Sequence, residues 1–318
     1  MAAESAGTPV ELVVAGHAVR LSNPDRVYFP ARGETKLDLA RYYVSVGDGI
    51  VRALRERPCM LHRFPEGVSG AKVHQKRLPR GAPSWVETAR VDFPSGRHAD
   101  ELCVTNLASV IWAVQMSTVE FHPWNSRRRD TERPDEWRID LDPMPDCRFG
   151  AVRRVAQVAH EVLDELGAVG WPKTSGGAGL HIYVRVEPRW DFADVRRAAL
   201  AFAREVERRA AGDATTIWWR KDRDPTKVFV DYNQNARDHT IAAAYSVRGV
   251  PEATVSTPIG WDEIDDVEPG DLTIVSVPSR FGRLGDLHAG IDESAYSLET
   301  LLDWAARDEH EGAADSGT

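Results

Sequence analysis

Asp140 and Asp142 stand two residues apart in the apolar run Trp137-Arg138-Ile139-Asp140-Leu141-Asp142-Pro143. In a β-strand that spacing puts both carboxylates on one face, about 7 Å apart. Acids held that close repel each other unless a cation sits between them. Hard divalent ions such as Mg²⁺ or Mn²⁺ take oxygen ligands and often bridge to phosphate. Most Asp-x-Asp pairs are solvated strand ends, so the pair alone does not define a metal site. Lys227-Val228-Phe229-Val230-Asp231-Tyr232 offers another acid in a β-rich run. Asp231 is a third ligand if the two strands are neighbours, and an ordinary strand-end residue otherwise. Between them lies Thr174-Ser175-Gly176-Gly177-Ala178-Gly179-Leu180-His181, a Gly-rich turn running into a strand. Glycines let backbone N–H groups approach phosphate oxygens, and His181 would face whatever the loop holds. The pattern is neither a Walker loop nor a dinucleotide-binding fingerprint; taken alone it reads as a hairpin turn.

Holding these groups together requires a mixed α/β scaffold. Apolar periodicity predicts helices over 36–56, 148–167, 191–210 and 297–307, the third carrying Phe192, Val195, Ala199, Phe202 and Val206 at helical spacing. Strands are predicted near 11–15, 57–63, 86–92, 118–122, 137–142, 170–174, 180–186, 227–231 and 241–247. From residue 137 to 231 the order is βαββαβ, a ferredoxin-like order in which the first and last strands are neighbours. That order would bring Asp231 beside Asp140 and Asp142.

Asp-x-Asp, then Ser-Gly-Gly-x-Gly-x-His, then a strand Asp resemble the three motifs of the archaeo-eukaryotic primase superfamily. A narrower resemblance rests on Asp231-Tyr232-Asn233-Gln234-Asn235, Thr240-Ile241-Ala242-Ala243 and Tyr245-Ser246-Val247-Arg248-Gly249, with Leu21-Ser22-Asn23-Pro24-Asp25-Arg26, Thr35-Lys36 and Ala82-Pro83-Ser84-Trp85. These are similar to the polymerase domain of bacterial ATP-dependent DNA ligase D, over about residues 11 to 290. The resemblance implies a primase-polymerase fold, with an RRM/ferredoxin-like catalytic sheet packed on an N-terminal mixed α/β lobe. It implies a nucleotidyltransferase extending 3′ ends at short gaps or double-strand breaks, with ribonucleotides preferred. Asp140, Asp142 and Asp231 match the acids that bind two catalytic ions, Mn²⁺ or Mg²⁺. Ser175, His181 and Arg248 match residues that hold the triphosphate of an incoming NTP or dNTP, and His122 matches a histidine near its sugar.

The family's second site binds a DNA 5′-phosphate, and Asn23, Arg26 and Lys36 fall where its asparagine and two basic residues lie. Without the resemblance they read as a helix cap and two surface charges. One departure concerns template stacking. Where the family commonly has two aromatics before a lysine, this chain reads Lys72-Val73-His74-Gln75-Lys76-Arg77. Stacking contributes about 1–3 kcal/mol per base, so template engagement is expected to be weaker unless His74 stacks in part. His74, Lys76, Arg220 and Lys221 are candidate DNA contacts; the aromatic and basic run Trp218 to Asp224 reads as a DNA- or partner-contacting loop, or else as core tryptophans.

A net charge of −9 looks wrong for such an enzyme until it is divided along the chain. Residues 1–249 hold 37 Lys+Arg against 33 Asp+Glu, whereas residues 250–318 hold 3 against 16. The acidity is therefore C-terminal, and basic clusters upstream can serve as an electrostatic footprint for DNA. The composition suits one large domain over 11–300: an N-terminal lobe (11–130) with the 5′-phosphate site, a catalytic core (131–250) and a packing segment (251–300). Residues 1–10 and the acidic tail 308–318 read as disordered. No apolar run reaches membrane-spanning length and no leader is visible, so a soluble, cytoplasmic, nucleoid-associated protein is expected. Cys59, Cys103 and Cys147 lack ligand spacing and read as reduced. No ligase motif is visible, so a Ku-like protein and an ATP-dependent DNA ligase would act in trans. The alternative is a non-catalytic end-bridging factor that recognises 5′-phosphate; a sugar-nucleotide glycosyltransferase would explain the Asp pair but not Asp231.

Overall fold

The computed structural model describes residues 8–93 and 95–315. Most of the expected disordered N-terminus and the last residues of the tail lie outside these. The chain forms two compact units: one takes the chain to Arg129 with Thr240–Thr257 and Glu268–Ala289, the other Asp130–His239, Pro258–Val267 and the chain from Gly290.

In the second unit the strands Trp171–Thr174, Leu180–Arg185, Glu136–Pro143, Val228–Asp231 and Ala214–Thr215 form one sheet in that spatial order. The first four follow the expected βαββαβ order, with a two-residue edge strand added in parallel to Val228–Asp231. Alternation along the central strand Glu136–Pro143 sends Trp137, Ile139 and Leu141 to one face and Arg138, Asp140 and Asp142 to the other. The apolar face is covered by helix, with Trp137 edge-on to Phe202 at 4.7 Å between ring centroids. The helix Phe192–Arg209 buries all five residues that its periodicity singled out. Its start is capped by Asp191, whose side chain accepts from the Asp194 N–H at 3.0 Å.

The last helix runs over Glu299–Asp315 and so enters the stretch expected to be a disordered tail. Two of its acidic residues have partners on the helix Phe192–Arg209: Arg197 pairs with Glu309 at 2.9 Å and Arg204 with Asp308 at 3.4 Å.

In the first unit the strand Pro58–Arg63 pairs with Val73–Gln75, His98–Cys103 and Thr118–Pro123. The predicted helix 36–56 is two helices, Lys36–Ser45 and Gly47–Leu54, broken at Val46. The first opens with a capping box between Thr35 and Asp38. The predicted strand 241–247 is irregular instead. Tyr245 has a positive φ of 64°, and pairing with the chain at 254–256 is reduced to an isolated bridge between Val247 and Val255; side chains add bonds, the Ser246 hydroxyl accepting from the Phe121 N–H and the Tyr43 hydroxyl from the Val247 N–H. Among the described residues, no helix is long and apolar enough to cross a membrane.

Candidate functional site

Antiparallel register builds a row of functional side chains across the second unit's sheet. Asp140 is the direct partner of Asp231 on one side and of His181 on the other, and His181 in turn is the partner of Lys173. Cross-strand partners point to the same face, so Lys173, His181, Asp140 and Asp231 share it, with Asp142 one pleat further along. The His181 Nε2 atom lies 3.3 Å from the Asp140 Oδ1 atom.

The segment after Asp231 explains why that string is so specific in sequence. Asp231 Oδ1 accepts from the Asn233 N–H at 2.8 Å, and Oδ2 accepts from the Gln234 side chain at 3.1 Å. Asn235, fully buried, pairs with both backbone groups of Arg138, accepting from its N–H at 2.8 Å and donating to its carbonyl at 2.7 Å. A side-chain amide thus continues the central strand's pairing where the neighbouring strand has ended.

Electrostatics single out this acid face. Asp142 is the last residue but one of its strand and is exposed. Even so, desolvation by the surrounding chain, then Asp140 and Asp231, push its pKa up to about 6 against the pull of Arg220 and Arg223. Burial and Asp140 likewise raise Asp231, although Asn233 and Gln234 bond its charged form. Arg220 and Lys221 lie in an exposed turn, after Trp218 and Trp219, which are exposed and not core.

Ser175 organises its own loop. Its hydroxyl accepts from the N–H groups of Gly177 at 3.0 Å and Gly179 at 3.1 Å, and its N–H donates to the Gly179 carbonyl at 3.0 Å. The turn lies tight against the Asp strand: a Cβ at Gly179 would sit 2.3 Å from the Leu141 carbonyl oxygen.

The remaining candidates lie in the first unit. His122 is buried, and its Nε2 is 2.7 Å from Glu120, whose same oxygen is 3.0 Å from His62 Nδ1. Gly249 donates its N–H to the other oxygen of Glu120 at 2.7 Å, and the Arg248 guanidinium lies 3.6 Å from the carboxylate. Burial would raise the Glu120 carboxyl, but His122, His62 and Arg248 hold it well below the usual carboxylate range. Burial pushes His122 down to about 4 despite Glu120, so the imidazole is neutral at neutral pH. These three ligand-type atoms lie within 4.8 Å of one another. Among the described residues, the outer ring nitrogens His62 Nε2 and His122 Nδ1 have no hydrogen-bond partner. Without an ion, the geometry is that of two imidazole N–H groups bonding one carboxylate oxygen. His74, exposed on the neighbouring strand, has its ring 4.5 Å from His62, whereas Lys76 lies over Phe93. Glu120 and His62 were not singled out in the sequence, where a strand acid and a strand histidine carry no motif.

Backbone hydrogen bonds link Asn23, Arg26 and Lys36: the Arg26 N–H donates to the Asn23 carbonyl and the Lys36 N–H, at the start of its helix, to the Arg26 carbonyl. Arg26 is exposed and bonds the Pro65 carbonyl. Lys36 is buried, and its ammonium donates to the carbonyls of Ser22 and Gln115 and to the Gln115 side chain. Burial, with Arg26 adding repulsion, lowers its pKa to about 8.

A family model described as "LigD, primase-polymerase domain" matches residues 35–288. The chain belongs to the LigD primase-polymerase domain family. Members of this family are nucleotidyltransferases, and the chain has the primase-polymerase fold. It is 34% identical over 268 residues to the multifunctional non-homologous end joining protein LigD of Pseudomonas aeruginosa, covering 84% of this chain and 32% of that protein. With the protein of the same description from Mycolicibacterium smegmatis it is 33% identical over 288 residues, covering 89% of this chain and 37% of that one. The chain therefore spans about a third of the length of these curated relatives. Among solved structures, the polymerase domain from Mycobacterium tuberculosis ligase D in complex with DNA superposes with a TM-score of 0.80 at 30% identity, covering 87% of this chain and 99% of that one.

Proposed function

We propose that this chain is a primase-polymerase that adds nucleotides, ribonucleotides by preference, to 3′ ends at short gaps or breaks in DNA during end joining. The observation that carries this reading is the register pairing of Asp231 and His181 on either side of Asp140. Three carboxylates offer only hard oxygen donors, and the raised values of Asp142 and Asp231 reflect burial and then a mutual repulsion that divalent cations relieve. Asp140, Asp142 and Asp231 would hold two ions. Ions held there would supply charge neutralisation for the triphosphate and for the primer hydroxyl. The chain's own part is positioning. Ser175 shapes the glycine turn, His181 donates toward phosphate oxygens, Arg248 offers a guanidinium fork, and the neutral His122 reads the sugar. His74, Lys76, Arg220 and Lys221 contact DNA, and a Ku-like protein and an ATP-dependent ligase complete the repair.

The proposal is tested by metal-dependent primer extension across pH. Only charged Asp142 ligates, so incorporation should fall as pH drops through about 6, and raising Mn²⁺ should move that acid limb to lower pH because ion and proton compete. An acid limb indifferent to metal concentration would count against the site.

Asn23, Arg26 and Lys36 are proposed to hold a DNA 5′-phosphate, with Arg26 at the surface and Lys36 contributing charge from beneath. Lys36 is charged below about 8 and loses its proton above it. The preference for a 5′-phosphorylated over a 5′-hydroxyl end should therefore shrink as pH rises through about 8, measured by competition binding. A preference unchanged through that range would remove Lys36 from the site.

A further inference from the structure

We propose that Lys173 is a positioning residue that locks His181 in the tautomer carrying its proton on Nε2, aimed at Asp140 and the phosphates of the incoming nucleotide. The inference rests on the nucleotidyl-transfer reading and adds a residue that no motif marks. Lys173 sits on the strand Trp171–Thr174 as the register partner of His181 and is fully buried. A buried lysine is unusual unless its ammonium is matched by its surroundings. Here it lies on the face that carries Asp140, Asp142 and Asp231, and it also lies 5.0 Å from the centre of the Tyr183 ring.

The Lys173 Nζ atom is 2.7 Å from His181 Nδ1. An ammonium has three N–H groups and no lone pair, so at that distance it donates and Nδ1 must present its lone pair. The imidazole proton is then confined to Nε2, which faces Asp140 Oδ1 at 3.3 Å. A histidine left to itself exchanges its proton between the two nitrogens and can turn its ring over; the hydrogen bond at one nitrogen decides what the other can do. Lys173 thus acts on the acid row through His181, with the strands of His181 and Asp140 lying between its own and that of Asp231.

The test pairs spectroscopy with a double-mutant cycle. In the wild-type protein with ¹⁵N-labelled histidine, His181 should show a protonated Nε2 and an unprotonated Nδ1; a protonated Nδ1 would overturn the proposal outright, whether or not nucleotide transfer is ever observed. Lys173→Met keeps the side chain's length and removes the donor, so the His181 signals should move toward a tautomer average. Its KM for nucleoside triphosphate should rise about 10- to 100-fold, the range for losing an orienting partner, with a smaller change in kcat. Lys173→Arg, which keeps a donor, should restore much of the loss. In a His181→Gln background Lys173→Met should have no further effect. An equal loss in both backgrounds would mean that Lys173 only supports the fold. If Lys173→Met does not fold, the wild-type spectrum and the Lys173→Arg variant still decide the matter.

Discussion

Asp231→Asn is expected to lower nucleotide incorporation by at least about a thousandfold, equivalent to about 4 kcal/mol at the barrier, while leaving DNA binding within a few-fold of the unaltered protein. The substitution keeps the side chain's shape and its accepting oxygen toward the Asn233 N–H, so the turn Tyr232–Asn235 should survive. What it removes is a charge from a group of three acids. Because burial and Asp140 already hold Asp231 above its ordinary range, the variant should also be at least as stable as the parent without metal. Added Mn²⁺ should then raise its melting temperature less than it raises the parent's. A variant that loses activity and stability together would point to a structural role for Asp231.

Gly179→Ala should have the second-largest effect, at a residue that touches no proposed ligand. Its Cβ would meet a backbone oxygen, Leu141 between the two acids, at 2.3 Å, and backbone cannot move aside as a side-chain tip can. Either the glycine turn lifts off the strand or the strand shifts. A displacement of about 1 Å at a reacting centre can lower rate about a hundredfold, and overpacking of this kind destabilises by about 1–3 kcal/mol. Incorporation assays and thermal melting should therefore both fall for Gly179→Ala. An active variant of unchanged melting temperature would mean that the turn has freedom the close approach does not suggest.

The acid face was legible because a period of two fixes which side chains share a face, and because βαββαβ order fixes which strands are neighbours. Register was not legible: nothing in the sequence states that Asp140 faces Asp231 directly and not one pleat away. Lys173 escaped notice because a lysine in a short strand reads as a solvated edge charge, and only the pairing with Leu180–Arg185 turns it onto the acid face. The helix Leu107–Gln115 was missed because Ala108 to Val114 are all buried, which leaves no amphipathic stripe to detect. The run 241–247 misled in the opposite way: apolar and β-prone, it makes one isolated bridge, at Val255, and spends its other hydrogen bonds on Phe121, Ser256, Tyr42 and Tyr43 instead of a continuous ladder. In the C-terminal helix, acidic composition argued for disorder, and Arg197 and Arg204 supply the opposite charge from a distant part of the chain.

The central claim is nucleotide transfer by the acid row, and primer extension on a gapped duplex bearing a 5′-phosphate tests it most directly. The reaction is run with Mn²⁺ or Mg²⁺ and with ribo- or deoxyribonucleoside triphosphates, beside an Asp140→Ala/Asp142→Ala control. The account predicts metal-dependent extension, stronger with ribonucleotides, that the double variant lacks. Binding that depends on the 5′-phosphate, with no extension under any of these conditions, would contradict it and leave a factor that bridges DNA ends without catalysis.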